Sequence, residues 1–228
     1  MYEFEREFQA VLLNLHKISA LKHLVLIGSW VLPVYAYIFK MPLASFTTSD
    51  IDFSVIRPHD RAIKSNPSVH NILVEIGYMP HFSLLTRSEK YIPALDNPEK
   101  KLSIEFLCEF GRVAHEPYRI KGLAITATPV KFQKILHENV AVLNYRGVPV
   151  TVPKPAFWAA HKIAISQLRL GKNAKLKMSK DLDTAKMVVG FLGADPVLKA
   201  AYFYRGKFVI LFEKGWKAYK KRFSDQVV

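Results

Sequence analysis

The sequence predicts an α+β fold, a mixed β-sheet flanked by helices with a helical region at the C-terminal end. Three observations predict it. Apolar runs of strand length alternate with helix-period segments over the first 150 residues. The segments at 50–56 and 102–108 interleave acids with large apolar residues, as half-buried strands do. From Pro153 onward only helix-period patterns remain. A chain of 228 residues, half of them hydrophobic, has ample length for a core as one large domain or two small ones. The expected division is a core at 1–152 and a basic helical region at 153–228.

The elements follow in order. Phe4, Phe8, Val11, Leu12, Leu15 and Ile18 recur at helical spacing, so the chain opens with an amphipathic helix. Residues 23–27 read as a buried strand, Gly28-Ser29 as a tight turn and 30–39 as a helix. The uncharged run 24–39 is shorter than the roughly 20 apolar residues of a membrane span and is interrupted by Gly28, Ser29 and Pro33. A loop through Pro42 leads to the strand at 50–56, and a helix is expected over 61–76, stopped by Gly77. The stretch containing Pro80, Pro93 and Pro98 has no clear pattern. A strand at 102–108, another at 123–128 and a short helix over 129–138 come next. Residues 140–145 and 148–152, joined around Arg146-Gly147, read as a hairpin. Helices are then expected over 156–170, from Ser179 as N-cap to about Gly193, and over 207–222, with a lysine-rich connection at 171–177. In the last helix Phe208, Phe212, Trp216, Tyr219 and Phe223 form a core-facing stripe, with Lys214, Lys217, Lys220, Lys221 and Arg222 beside it. There is no internal repeat and no low-complexity segment.

Composition narrows the function classes. Cys108 is the one cysteine, so no intramolecular disulfide forms and a reduced, cytoplasmic setting is expected. The acidic start, Glu3, Glu5 and Glu7 within seven residues, is unlike a signal peptide. The net charge of +14 is uneven. Residues 1–150 carry 17 Lys and Arg against 14 Asp and Glu, whereas 151–228 carry 16 against 5, a net +11. Such an excess suits a surface for phosphates, or a solvated lysine-rich face.

Three short pieces carry the chemistry: Gly28-Ser29 after an apolar strand, Ser49-Asp50-Ile51-Asp52-Phe53, and Leu102-Ser103-Ile104-Glu105-Phe106. Residues i and i+2 of a strand share a face, so Asp50 and Asp52 stand side by side while Ile51 and Phe53 enter the core. Two carboxylates so close repel unless a proton or cation lies between them. Oxygen ligands of this kind favour Mg²⁺, which draws its remaining ligands from substrate phosphates and water. Gly28 lets backbone approach a phosphate, and Ser29 with helix N-terminal amides supplies donors to the anion, so both are assigned to the phosphates of an NTP. Glu105 either ligates a second metal or accepts the proton of an attacking hydroxyl. Lys162 and Arg169, seven apart on one helix face, either reach the triphosphate or are solvated, and Lys180 is a further phosphate candidate. Asp181 and Asp183 fall in the first turn after Ser179, where acids stabilise the positive end of a helix.

Gly-Ser after a strand, Asp-x-Asp in the next strand and a later lone acid in a strand resemble the polymerase-β-type nucleotidyltransferase superfamily. The Gly28-Ser29-Trp30 and Thr48–Phe53 wording is similar to bacterial and archaeal nucleotidyltransferases. The C-terminal helix bearing Lys162 and Arg169, followed by Lys180-Asp181-Leu182-Asp183, is similar to the tail of abortive-infection and toxin-type members. The resemblance covers about residues 23–192. It implies a nucleotidyltransferase-like sheet and Mg²⁺-dependent transfer of NMP from an NTP such as ATP, with pyrophosphate released. It also favours Lys162 as a phosphate ligand. One departure is the interval of 21 positions from Ser29 to Asp50, about twice the superfamily's usual spacing.

The basic tail favours RNA, including a tRNA end, as the hydroxyl acceptor, because Lys and Arg neutralise phosphates without regard to base sequence. A protein hydroxyl and a small molecule are the other acceptors the residues allow. The reading from a different class is a non-catalytic nucleic-acid-binding or toxin–antitoxin partner module on the same fold.

Overall fold

The computed structural model describes residues 2–43, 48–55, 68–83, 88–97, 99–109 and 116–223, and the architecture below refers to these. The fold is α+β. Its described elements are α1 (Tyr2–Lys17), β1 (Val25–Ile27), α2 (Val31–Phe39), β2 (Asp50–Val55), α3 (Val69–Glu75), β3 (Tyr78–Ser83), β4 (Ser88–Pro93), β5 (Ser103–Glu109), β6 (Tyr118–Ile120), β7 (Ile125–Val130), α4 (Gln133–His137), β8 (Val140–Tyr145), β9 (Val148–Pro153), α5 (Pro155–Ile165), α6 (Ala174–Leu192), α7 (Ala194–Tyr202) and α8 (Lys207–Phe223).

The chain divides into two units, Met1–Ile38 with Thr47–Pro153, and Phe39–Phe46 with Lys154–Val228. The first contains a mixed sheet in the order β1-β2-β5-β4-β3. β2 and β5 are parallel, while β1 is antiparallel to β2 and β4 to β5. The second half of β5 leaves β4 and pairs in parallel with β7, which carries β6 on its other side. β8 and β9 form a separate hairpin. Its turn has positive φ at both Arg146 (51°) and Gly147 (86°), as a two-residue turn between twisted strands requires. Phe8, Val11, Leu12 and Leu15 of α1 are fully buried, as are Ile51, Phe53, Ile104 and Phe106 of β2 and β5.

One buried acid secures the start of β5. The Glu7 carboxylate accepts the Tyr78 hydroxyl (2.6 Å) and the backbone N–H groups of Lys101 (3.0 Å) and Leu102 (3.1 Å). Burial and the Glu7 charge together push the Tyr78 hydroxyl well above its ordinary value, so it remains a donor. α1 thereby fixes the strand that carries Glu105.

The second unit is helical. Gly215 of α8 lies so close to α5 that a Cβ there would stand 2.9 Å from the Ile163 carbonyl carbon, a contact only glycine permits. Phe208, Phe212 and Phe223 are buried, while Trp216 and Tyr219 are half-buried. Phe212, Trp216 and Tyr219 stack in sequence along the helix at centroid separations of 5.7 and 5.0 Å.

Several expectations need correction. The described helix α3 covers Val69–Glu75, with the Ser68 side chain accepting the Asn71 N–H (3.1 Å) at its start; the part of the expected helix at 61–67 lies outside the described set. The patternless stretch after Gly77 is the hairpin β3–β4, and Pro80 is tolerated because β3 is the edge strand. The strand β6 and the helix α7 add to the expected elements. Ser179 does not cap a helix. α6 starts five residues earlier, at Ala174, so Asp181 and Asp183 lie in its interior. Among the described residues no helix is long and apolar enough to cross a membrane.

Candidate active site

The site is built where the C-terminal end of β1 meets the N-terminal ends of β2 and β5. Gly28 follows β1 with φ +65°, a left-handed conformation open to glycine at little cost, and turns the chain toward α2. A Cβ at Gly28 would overlap the Asp52 carboxylate, standing 2.9 Å from Cγ and 3.0 Å from Cβ of that residue. The glycine is therefore demanded twice, by its backbone angle and by the carboxylate lying against it. Ser29 follows it and is buried.

The sheet register aligns the charged residues. Directly opposed residues of neighbouring strands share a face, and the pairs Ile27 with Asp52, Asp52 with Glu105, Glu105 with Lys90, and Lys90 with His81 make one row across five strands. Asp50 and Ser103 face each other in the adjacent row. Both β2 and β5 alternate half-buried acids with buried apolar residues, which places Asp50, Asp52 and Glu105 on the same face. Farther along that face Val25, Ile27 and Leu136 form an apolar cluster with Leu107 and Val140 against it. There the buried His137 Nε2 lies 2.7 Å from Ser54 Oγ. The acid row thus has a largely apolar neighbour on one side.

Asp50 is held by two partners. Ser103 Oγ donates to its Oδ1 at 2.5 Å, and Lys90 Nζ lies 3.8 Å from the same oxygen. Ser103 is itself buried and takes its place through a backbone bond from its N–H to the Ser49 carbonyl (2.6 Å). Sequence reasoning misses both residues. A signal for Ser103 exists, since it sits two positions before Glu105 on the same strand face. Lys90 has none, because β4 lies in the patternless stretch.

The donors are oxygens only, which suits a hard cation such as Mg²⁺. Among the described residues no three His, Cys, Asp or Glu side chains converge tightly enough to hold an ion unaided. The arrangement fits an ion held by two aspartates and completed by substrate oxygens, the way Mg²⁺ is commonly bound at phosphate sites.

The remaining expected residues lie in the helical unit. Lys162 of α5 is buried, with its Nζ 3.1 Å from Asp181 Oδ1 and its ammonium over the Trp158 ring. Arg169 places Nε 2.6 Å from Asp181 Oδ2. Burial raises the Asp181 pKa, but Lys162 and Arg169 outweigh it and hold the carboxyl below its ordinary value. Asp181 is therefore the centre of a buried ion network and not the helix-end acid expected from the sequence. Lys180 is exposed on α6. Asp183 accepts both Nε (2.9 Å) and a terminal nitrogen (3.0 Å) of Arg222.

A family model and solved structures are similar to this chain. The family described as Nucleotidyltransferase matches residues 6–202. No curated protein matches the chain by sequence. Among solved structures, an antigenic nucleotidyltransferase-like protein from Paracoccidioides brasiliensis superimposes with a TM-score of 0.50 at 12% identity, covering 95% of this chain and 88% of that one. The antibiotic-resistance factor ANT(2'')-Ia matches with a TM-score of 0.45 at 13% identity over 96% and 99% of the two chains.

Proposed function

Because the chain belongs to the nucleotidyltransferase family, we propose that it transfers NMP from an NTP to a hydroxyl of RNA, using Mg²⁺ held by Asp50 and Asp52. The observation that carries this reading is the row in which Asp52 and Glu105 stand side by side next to Gly28, with Asp50 one row away. Gly28 and Ser29 receive the β- and γ-phosphates at the turn into α2, where backbone amides and the Ser29 hydroxyl supply donors to the anion. A bound Mg²⁺ would neutralise triphosphate charge and polarise the α-phosphoryl group. Ser103 fixes the direction of the Asp50 carboxylate, which is the pre-organisation such a site needs. Glu105 accepts the proton of the acceptor hydroxyl, or ligates a second ion. The hydroxyl oxygen forms the new bond to the α-phosphorus, and pyrophosphate leaves with the electrons of the bond that breaks.

Lys162, Arg169 and Lys180 enter the proposal as phosphate-binding cations of a basic region at 153–228, separate from a catalytic core at 1–152. The RNA acceptor rests on that region's net charge of +11, since phosphate neutralisation drives sequence-independent RNA binding. The test is transfer of label from each of four α-³²P-NTPs, with Mg²⁺ and then Mn²⁺, into total RNA, protein and small molecules. Wild type is compared with Asp50→Ala/Asp52→Ala. Label in RNA with wild type only is the expected result. Label confined to protein or to a small molecule overturns the acceptor and keeps the chemistry. No label in any fraction favours the non-catalytic module.

A further inference from the structure

We propose that Lys90 is the resident counter-ion of the metal site: its ammonium occupies the side of Asp50 that a divalent ion takes and is displaced from it when the ion binds. The inference rests on Asp50 being a metal ligand. Asp50, Asp52 and Glu105 put three carboxylates on one sheet face, and such a set repels itself unless a cation lies among them. Lys90 is placed to be that cation. It is the direct cross-strand neighbour of Glu105, and its Nζ lies 3.8 Å from Asp50 Oδ1. The Ser103 hydroxyl donates to that same oxygen, so Asp50 stays aimed whether or not the lysine is in place.

The exposure of the pair makes the contact exchangeable. Lys90 and Asp50 are 41% and 48% exposed, and ion pairs so open to water are weak. A divalent ion outcompetes one ammonium for the same carboxylate, and the lysine then turns to Glu105 beside it or to a phosphate oxygen of the nucleotide. Lys90 is thus a placeholder whose charge offsets that of the neighbouring carboxylates until the ion arrives.

The test measures Mn²⁺ binding by electron paramagnetic resonance, without nucleotide, for wild type, Lys90→Met, Lys90→Arg and Asp50→Ala. Removing this competitor, and with it the repulsion of the incoming ion, should tighten binding in Lys90→Met about three- to tenfold. Lys90→Arg should stay near wild type and Asp50→Ala should lose the site. A purely structural lysine would leave Mn²⁺ affinity unchanged or weaken it on removal, and either result overturns the inference. Absence of Mn²⁺ binding in both wild type and Lys90→Met also overturns it. The labelling experiment judges the transfer reaction separately. Lys90→Gln, which keeps a polar side chain, guards against a folding artefact and should bind like Lys90→Met.

Discussion

Replacing Gly28 by alanine tests the site at its most constrained point. Two costs follow from the structure. The backbone at +65° becomes a left-handed alanine, a penalty of about 1–2 kcal/mol. For a chain of 228 residues that lowers the melting temperature by about 2–8 °C if unfolding is cooperative. The new methyl would also lie against Asp52, 2.9 Å from its Cγ and 3.0 Å from its Cβ, so the carboxylate must swing away or the turn must shift. A displacement on the order of 1 Å in a catalytic constellation costs on the order of a hundredfold in rate. The expected result is a protein that folds, as judged by circular dichroism and a modest loss on denaturation, while label transfer falls about a hundredfold. Full activity in Gly28→Ala alongside an inactive Asp52→Ala would refute the argument, because it would show that the carboxylate does not need its position against the turn.

Glu105→Gln separates the two roles of that residue: a fall of about 100- to 10,000-fold in kcat with unchanged Mn²⁺ affinity marks a proton acceptor, and lost Mn²⁺ affinity marks a ligand. Asp181→Ala leaves the buried Lys162 ammonium and the Arg169 guanidinium without their shared anion, which should destabilise the protein by about 3–5 kcal/mol in urea unfolding. Because the folded-state pKa of Asp181 is depressed, its stabilisation is present above the unfolded carboxyl value of about 3.9 and lost as pH falls through the folded value. The acid limb of the stability profile should therefore flatten in Asp181→Asn, as read by denaturant midpoints between pH 2 and 7. Gly215→Ala drives a methyl toward the Ile163 backbone and should cost about 1–3 kcal/mol by overpacking, with Mn²⁺ binding unchanged because the site's carboxylates lie in the other unit.

The acid-bearing face is legible in the sequence because strands encode faces with a period of two. Asp50 and Asp52 flanking Ile51, and Glu105 between Ile104 and Phe106, are placed by residue order alone, and the observed burial repeats that alternation. Pairing across the sheet is not legible in the same way. That Lys90 stands opposite Glu105 depends on β4 entering the sheet antiparallel to β5, a long-range choice with no local trace. β4 and β3 are hidden for a second reason: Pro80 and Pro93 read as breakers, and only an edge position makes Pro80 acceptable in a strand. The start of α6 is misread because Ser179 is a good N-cap by type, whereas the helix begins at Ala174 with no side-chain cap.

Asp181 shows how the same residue type acquires opposite meanings. At a helix start an aspartate is a solvated cap, and the local sequence offers nothing against that reading. Five residues of additional helix carry Asp181 into the interior of α6, where it is buried and meets two cations from the α5 side of its unit. The consequence reaches the proposed chemistry. Lys162 and Arg169 are cations already paired, so any phosphate that recruits them competes with Asp181 or adds to its network. If they bind phosphate by competition, Asp181→Asn should tighten NTP binding while lowering stability, and if they bind it as a pre-formed network, both should fall together. Isothermal titration of NTP with the folded Asp181→Asn protein decides between the two, and unchanged affinity would remove both cations from the nucleotide site.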